Sequence, residues 1–558
     1  MITSRMTLVR VVQTIAVLFR YRIVQVPLPW RRGRINPVQL RLALEDLGGS
    51  WIKFGQMLAM RFDLLPADFC YELFTLLNEV KPVPYDQVRQ VIRDELGDEP
   101  ERIFLSFDPI PFASASIGQV HRAILPSGHP VAVKVQRPNA RQIFTADIQL
   151  MYAVSGILDR VGLFGATKTR WVIDEFARWT SDELDYLIEA RQGIRLRELA
   201  KGDRLQCPAR VWGEYCTSRV LTLDLVEGIP LIDIVNALRD HDQVFLAQLR
   251  ADGHDLKRII RHLDWNTLNQ IHGFGFFHAD LHPANLFVLP GDTIGYVDFG
   301  IIGKLSGETR RSLTRYAALF FQGEPDLAVA ELMRWVAPGS QGRVGASRAE
   351  LVRVHEDFFV KVSAAGQIST KGAGVAFAVG VLDIVRRRGI VLAPNVITYF
   401  RTLITADAIR FELAPDYDLP RHVQEFFKRL ITHEARDFLR PRQALMAAFD
   451  VGFRANRILD AAEYQLLTVS NVEARLISLQ ARVRGVTKRL LTLVLLVVAG
   501  VVVLHALDLN PNWRTESMLP NSAREWLHWI VFGVLLVFVL LIGVQAFRLW
   551  DADHNSKD

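Results

Sequence analysis

The chain has 558 residues, which is too many for one ordinary hydrophobic core, and its mean hydropathy of +0.15 is high for a protein that folds entirely in water. Its net charge of +6 fits an anionic lipid, a nucleotide or a nucleic acid as partner and does not choose among them. The three cysteines are scattered without CxxC or Cys/His metal spacing, which argues against a disulfide framework and favours the cytosol for the parts that fold in water.

The N-terminal segment, residues 6–30, is apolar but is interrupted by Arg10, Arg20 and Arg22 and lacks a small-residue cleavage site, so it is not a cleaved signal peptide. Two alternatives stay open for it: an amphipathic helix on a membrane surface, or a helix packed on the folded domain. Residues 36–100 repeat apolar side chains at helical spacing and contain the stretch "KFGQ".

Residues 103–137 change to a β pattern, with two apolar runs around Pro-Ser-Gly that predict a hairpin. The second run, "VAVKV", places Lys134 in an apolar strand, where a lysine is costly unless its charge is paired or functional. Such a lysine is typical of the kinase strand that binds the α- and β-phosphates of ATP. The alternative is a snorkelling lysine on an edge strand.

The segment "FASASIGQV" stands where a kinase has its glycine-rich loop. It has a single glycine, and each alanine adds a Cβ and restricts φ, so we expect its backbone to contact phosphates differently from a G-x-G-x-x-G loop. The predicted nucleotide-binding residues of this loop are Phe112, Ala113, Ser114, Ala115, Ser116, Ile117, Gly118, Gln119 and Val120.

A helical stretch over residues 140–202 contains "ELDYLIEA", which offers carboxylates to Lys134. Asp185 and Glu189 are four residues apart and should share a helix face, with Glu183 turned away from Asp185. We predict that Glu189 pairs with Lys134, the alternative being a solvated acidic face. The strand "LTLDLVEGIPL", which contains Asp224, is predicted to bind adenine through its backbone.

The densest group of polar residues lies in "GFFHADLHPANLFV", residues 275–288. It matches H-x-D-x-x-x-x-N, the kinase catalytic loop, with Asp280 as acceptor of the nucleophile's proton and Asn285 as an oxygen ligand for Mg²⁺. Thirteen residues later "DFG" offers Asp298 as the charged metal ligand. The alternative is two polar turns that do not meet in space.

The C-terminal region contains two segments without charged residues, 490–507 and 526–547. Both are long enough to cross a hydrocarbon core of roughly 30 Å. Basic residues are concentrated on the outer flanks, which places both flanks in the cytoplasm. We expect a transmembrane hairpin that holds the catalytic domain at the cytoplasmic face of the inner membrane, the alternative being a buried helical hairpin.

The order of elements predicts an α+β, protein-kinase-like fold of two lobes, the first small and β-containing and the second large and helical. The predicted divisions are a helical extension (1–100), an N-lobe with a helical insert (101–228), a helical C-lobe with its extension (229–488) and two transmembrane helices (489–550).

Several ordered motifs, "KFGQ", "ASASIGQVH", "VAVKVQRP", "ELDYLIEA", "FFHADLHPANLFV" and "VDFG", resemble those of the UbiB family, the AarF/ADCK-type atypical kinases, over about residues 36–305. The resemblance implies a kinase-like fold that binds ATP with Mg²⁺ and supports ubiquinone biosynthesis. It also implies that Lys53 and Gln56 line the pocket opposite Glu183 and Asp185. Gln192 departs from the family, which usually has asparagine there.

We therefore expect an ATPase or small-molecule kinase in which Lys134, Glu189 and Asp280 are catalytic. Its partners would be membrane lipid and either quinone precursors or quinone-biosynthesis enzymes, and not nucleic acid. A protein kinase is disfavoured because His282 stands where such kinases place lysine. An antibiotic phosphotransferase is disfavoured by the KxGQ segment and the hairpin. The alternative of another class is a non-catalytic, nucleotide-gated, lipid-binding scaffold.

Overall fold

The computed structural model describes residues 12–14, 16–21, 23, 36–59, 61–62, 64–73, 75–76, 81–161, 169–335, 341–364, 373–390 and 392–438. The chain divides into two compact units, residues 1–427 and 428–558. In the second unit the described residues are 428–438, and they are helical.

The helices are numbered in chain order. They are α1 (Pro37–Leu47), α2 (Ser50–Ala59), α3 (Ala67–Leu73), α4 (Tyr85–Leu96), α5 (Pro100–Ile103), α6 (Ala140–Val161), α7 (Thr169–Glu183), α8 (Tyr186–Leu199), α9 (Leu231–Arg239), α10 (Gln243–Ala251), α11 (Leu256–Leu268), α12 (Gly307–Phe321), α13 (Pro325–Leu332), α14 (Gln341–Ala364), α15 (Ala373–Arg387), α16 (Pro394–Leu413) and α17 (Leu419–Phe438). One turn of π-helix, Asn269–Phe274, follows α11.

The strands form three sheets. They are β1 (Ser106–Phe107), β2 (Ala113–Ser114), β3 (Gly118–Ile124), β4 (Pro130–Gln136), β5 (Gln206–Pro208), β6 (Val220–Asp224), β7 (Ile229–Pro230), β8 (Phe276–His278), β9 (Leu286–Leu289), β10 (Thr293–Tyr296) and β11 (Ile302–Lys304). The first sheet has the order β1-β3-β4-β6 with β2 paired to β3, the second β5-β10-β9-β7, and the third pairs β11 with β8.

The predicted hairpin is the centre of the first sheet, in which β3 and β4 are antiparallel. Successive side chains of a strand point to opposite faces. Val131, Val133 and Val135 are buried in the cluster that includes residues of α4, and Lys134 therefore points to the other face. The alternation of apolar residues in "VAVKV" thus places the lysine amine on the sheet face next to Glu189 and Asp298, a region called the cleft below.

The C-lobe surrounds the polar strands with helices. Phe299 is fully buried and packs against α8, where a Cβ on Gly193 would come within 2.6 Å of the Phe299 ring. Gly193 is therefore a point of close approach between α8 and the DFG segment. The combination of a β-containing lobe and a helical lobe gives the protein a kinase-like fold of mixed helix and sheet, as the sequence predicted.

The described part of the N-terminal segment packs on the domain. Val17, Leu18 and Ile23 are buried in a hydrophobic cluster shared with α1 and α2, and the Tyr21 hydroxyl donates to Asp46 at 2.7 Å. These contacts favour the second of the two alternatives for this stretch.

The two predicted membrane spans, 490–507 and 526–547, lie outside the described residues. Among the helices that the structure describes, none combines the length and the apolar character needed to cross a bilayer.

Candidate nucleotide-binding and catalytic site

Lys134 lies at the centre of a group of ion pairs in the cleft. Its Nζ donates to both carboxylate oxygens of Glu189, at 3.0 and 2.9 Å, and lies 3.6 Å from Oδ2 of Asp298. Nζ also lies 5.1 Å from the centroid of the Tyr186 ring. The structure thus brings together a strand lysine, a helix glutamate and the DFG aspartate, which are 164 residues apart in the chain at their extremes (134 to 298).

The carboxylates keep this lysine charged. Burial by itself would lower the pKa of Lys134, but Asp298 and Glu189 outweigh burial and raise that pKa well above its ordinary value. Burial also acts to raise the pKa of Asp298, but Lys134 and the Gly300 amide, which donates to its Oδ1 at 2.8 Å, hold it below the ordinary value. Lys134 and Asp298 are therefore both ionised at neutral pH, as a phosphate-binding cation and a metal-binding anion must be.

His278 joins the catalytic loop to the DFG segment. Its Nε2–H donates to the Asp298 carbonyl, and its Nδ1 accepts from the Asp280 backbone N–H at 3.3 Å. This pattern requires a neutral ring, and burial lowers the pKa of His278 accordingly. The Ala279 amide donates to the Ile301 carbonyl at 3.0 Å, which further ties the two segments together. The two polar turns are therefore one site and not separate surfaces.

Asn285 connects Asp280 to the strand segment that precedes Asp298. Its Nδ2 donates to Oδ2 of Asp280 at 3.0 Å, and its carbonyl accepts from the Val297 amide at 3.2 Å, next to Asp298. Because the amide nitrogen is a donor to Asp280, the amide oxygen is the atom through which Asn285 would bind a cation.

The segment 112–120 forms a small sheet element over the cleft. The alanines and serines of this loop adopt ordinary backbone conformations with negative φ. The described non-glycine residues with a positive φ, His241 and Asp292, lie elsewhere. A Cβ at Gly118 would come within 2.7 Å of the Val135 carbonyl and would also overlap the Tyr186 hydroxyl. The single glycine is thus required by close packing and not by a left-handed conformation.

Arg137, the residue after β4, forms hydrogen bonds to the same loop. Its guanidinium donates to the Ala115 carbonyl and to Oγ of Ser114, both at 3.0 Å, and to the Lys81 carbonyl at 2.8 Å. Sequence analysis missed this residue, because the arginine of "VQRP" carries no pattern that points to a loop twenty residues earlier.

Some of the predicted nucleotide-binding residues have other contacts. Gln119 is buried and accepts from the Val83 amide at 2.8 Å, which joins β3 to the segment before α4. The Asp224 carboxylate accepts from the Trp212 indole at 2.8 Å. The side chain of Phe112 is half exposed and lies 5.4 Å from the guanidinium of Arg122. The side chains of Gln119 and Asp224 are thus engaged within the protein, and a nucleotide contact of these two residues is predicted for their backbone.

The KxGQ segment reaches the site through Lys53. Its amine forms an ion pair with Glu183 and lies 5.2 Å from the centroid of the Trp179 ring. Gln56 instead donates to the Leu76 carbonyl at 3.4 Å. The structure therefore brings Lys53 and Glu183 together, whereas the described hydrogen bond of the Gln56 side chain is made to neither Glu183 nor Asp185.

The expected helix face shared by Asp185 and Glu189 is absent from this described region. Asp185 precedes α8 as its N-cap, and its carboxylate accepts from the Leu187 amide at 3.1 Å. Glu183 ends α7, so the helix is broken between the two acidic residues. Aspartate is a favoured N-cap because its side chain satisfies an amide that the helix leaves free, and the assumption of one continuous helix was wrong.

Comparisons with known proteins show which family the chain belongs to. Residues 75–330 match the ABC1 atypical kinase-like domain. A Pseudomonas aeruginosa protein named "Probable protein kinase UbiB" is 32% identical over 445 residues, 76% of this chain and 78% of its own. The chain belongs to the UbiB family of atypical kinases. A protein of the same name from Marinobacter nauticus is 32% identical over 398 residues, 70% of this chain and 69% of its own.

One solved structure is also similar. The Mycobacterium tuberculosis protein Rv3197, in complex with erythromycin, is 22% identical, with a TM-score of 0.42, over 68% of this chain and 91% of that one.

Several buried polar side-chain atoms of the 112–120 loop, of α7, of α8 and of α16 have no hydrogen-bond partner among the described residues. They are Oγ of Ser116, Oε2 of Glu183, the Tyr186 hydroxyl, Oε1 of Gln192 and Nη2 of Arg401. Buried polar groups are rarely left unpaired. Tyr186 lies beside Lys134, and Arg401 lies beside Asp280. Polar atoms without a described partner at these two places can form hydrogen bonds to a polar ligand. Gln192, the residue that departs from the family pattern, is among them.

Proposed function

We propose that this UbiB-family protein is a Mg²⁺-dependent ATPase or small-molecule kinase that works at the cytoplasmic face of the membrane and supports ubiquinone biosynthesis. The observation that carries the proposal is the meeting of Lys134, Glu189 and Asp298, with His278 joining that group to the catalytic loop of Asp280. A kinase-like domain needs these residues to bind a nucleoside triphosphate and transfer its γ-phosphoryl group.

In the proposed reaction the bond between the γ-phosphorus of ATP and the bridging oxygen of the departing ADP breaks. A new bond forms between that phosphorus and an oxygen of water or of a small-molecule hydroxyl. The proton of this oxygen passes to the carboxylate of Asp280, which the amide of Asn285 orients. Lys134 binds the phosphates that stay with ADP, and Glu189 holds the Lys134 amine in place.

The residues present fit a magnesium ion. Asp298 and Asn285 offer the hard oxygen ligands that Mg²⁺ prefers. Among the described residues there is no group of three or more His, Cys, Asp or Glu side chains suited to a metal. A cation held by Asp298 and Asn285 would share its shell with phosphate and water, because two protein ligands leave the other positions of an octahedral Mg²⁺ shell open. When bound, it would neutralise charge on the phosphate oxygens.

Support for the location and the pathway comes from the sequence and the family. The charge-free segments 490–507 and 526–547 support a membrane anchor. Membership of the UbiB family supports a role in ubiquinone biosynthesis, with membrane lipid and quinone precursors or quinone-biosynthesis enzymes as partners. Water and a small-molecule hydroxyl are both compatible acceptors in this proposal.

The proposal is tested by Asp298→Asn in the full chain in lipid vesicles. We expect this variant to lose Mg²⁺-dependent ATP hydrolysis by at least about 100-fold, because its amide cannot replace a charged metal ligand. Asp416→Asn, a change at an exposed aspartate that pairs with Lys257, is the matched control and should hydrolyse ATP like the wild type.

Full hydrolysis by Asp298→Asn would refute the assignment. A wild-type protein that binds ATP but gives no product in a single-turnover experiment would instead support the scaffold alternative.

A further inference from the structure

Arg401 lies beside the catalytic loop but belongs to α16, outside the residues 75–330 that match the kinase-like domain. Its Nη2 is 3.9 Å from Oδ1 of Asp280, and its side chain is 16% exposed. No motif in the sequence marks it, because α16 begins more than a hundred residues after Asp280.

The distance between Arg401 and Asp280 is informative. At 3.9 Å the two groups attract each other but are too far apart for a hydrogen bond. Nη2 is also buried without a hydrogen-bond partner among the described residues. A buried guanidinium nitrogen 3.9 Å from a carboxylate, without a hydrogen-bond partner among the described residues, has an N–H donor available for another acceptor. Leaving such a donor unpaired costs about 1–3 kcal/mol.

The position of that donor identifies the acceptor. Asp280 takes the proton of the attacking oxygen, so the phosphorus under attack must lie next to its carboxylate. Lys134 occupies the other side of the cleft, beside Asp298 and Glu189. The γ-phosphate would thus have Lys134 on the side of the departing ADP, and Arg401, beside Asp280, is a described cation next to the attacking oxygen.

We propose, on the basis of the proposed function, that Arg401 is a further catalytic residue that donates a hydrogen bond to an oxygen of the transferred phosphoryl group. Its planar guanidinium suits phosphate oxygens. Because it extends from a helix of the C-lobe, it supplies to this site, within one chain, the charge that some phosphoryl-transfer enzymes receive from a separate arginine. The contact strengthens as charge redistributes over the phosphoryl oxygens, so its effect falls on turnover more than on ATP binding.

The test compares Arg401→Gln and Arg401→Lys with the wild type in the full chain in lipid vesicles. With Arg401→Gln we expect kcat for Mg²⁺-ATP hydrolysis to fall on the order of 100-fold while KM for ATP changes by less than about threefold. Arg401→Lys should recover part of the loss, because it keeps the charge but not the planar guanidinium. Arg239→Gln is the matched control and should leave kcat unchanged, because this exposed arginine of α9 pairs with Glu412 near the end of α16, away from Asp280.

A binding measurement provides a second readout that does not depend on turnover. The probe is ADP with Mg²⁺, with and without aluminium fluoride, which imitates the transferred phosphoryl group. We expect Arg401→Gln to bind ADP alone like the wild type and to lose on the order of 100-fold of the additional affinity that aluminium fluoride provides.

Three outcomes would overturn parts of this account, and they differ from one another. Wild-type kcat in Arg401→Gln, with Asp298→Asn inactive, removes Arg401 from the mechanism and leaves the proposed function standing. A lost kcat with unchanged aluminium-fluoride affinity means that Arg401 only orients Asp280, which also overturns the phosphoryl contact. Full hydrolysis by Asp298→Asn removes the proposed function itself.

Discussion

The ion pair between Lys134 and Glu189 allows the structural and the functional role of one contact to be separated. Replacing Lys134 with methionine removes the cation and leaves the Glu189 carboxylate, which is 5% exposed, without its partner. Replacing Glu189 with leucine leaves the lysine with only Asp298, at 3.6 Å. Replacing both leaves an apolar contact of similar volume in place of the pair, and Asp298 keeps the hydrogen bond from the Gly300 amide.

The magnitudes follow from the geometry. At an effective dielectric constant of about 20, two unit charges 2.9 Å apart attract each other by about 6 kcal/mol. Desolvation costs several kcal/mol for each ion, so the intact pair contributes little net stability. Each single replacement should nevertheless cost about 3–5 kcal/mol, because it leaves a buried group without its nearest partner of opposite charge, whereas the double replacement should cost much less than the sum.

The assay is thermal unfolding of the full chain in detergent, followed with the wild type, both single variants and the double variant. At about 2 °C per kcal/mol for a large domain, each single variant should melt roughly 6–10 °C lower than the wild type. The double variant should melt no lower than the more stable of the two single variants, and all three variants should fail to hydrolyse ATP. If instead the two decreases in Tm simply add in the double variant, the charges are not coupled and the reasoning about this pair is wrong.

Two further predictions concern stability away from the site. Burial and the nearby Arg310 lower the pKa of His272 to about 3, so below its unfolded pKa of about 6.5 only the unfolded chain gains the proton. The free energy of unfolding should therefore decrease as the pH is lowered from 7, and His272 alone should account for a loss of about 2 kcal/mol at pH 5. His272→Phe should make Tm less sensitive to pH between 7 and 5, and an equally steep decrease in that variant would contradict the assignment. Asp292 is fully buried and binds Nδ1 of His254 at 2.6 Å and Nε of Arg258 at 2.5 Å. Asp292→Asn should therefore lose about 3 kcal/mol of stability, seen as a lower Tm, with KM for ATP unchanged because Asp292 lies at the opposite end of β10 from Asp298; a changed KM would show that this turn reaches the nucleotide.

The sequence alone determined the parts of the protein in which residue type and local spacing carry the information. The pattern "VAVKV" predicted a strand with a lysine whose charge is paired or functional, and the structure has Lys134 in a strand, on the face opposite Val133. The H-x-D-x-x-x-x-N and DFG spacings predicted two short turns. Their residue types identified Asp280 as the candidate general base, and Asn285 and Asp298 as the candidate metal ligands. These features can be predicted from the sequence because strand alternation and turn preferences depend on only a few neighbouring residues.

Tertiary structure decided the contacts between segments that are far apart in the chain. Asp185 has the spacing of a helix-face partner for Glu189, yet the direction from which α7 arrives makes it an N-cap. Gln119 lies in the predicted phosphate loop, yet the packing of β3 against the segment before α4 directs its side chain to Val83. Arg401 reaches Asp280 only because α16 packs beside the catalytic loop. Such contacts depend on how whole helices pack, and that is set by the summed burial of many side chains rather than by the residues that finally meet.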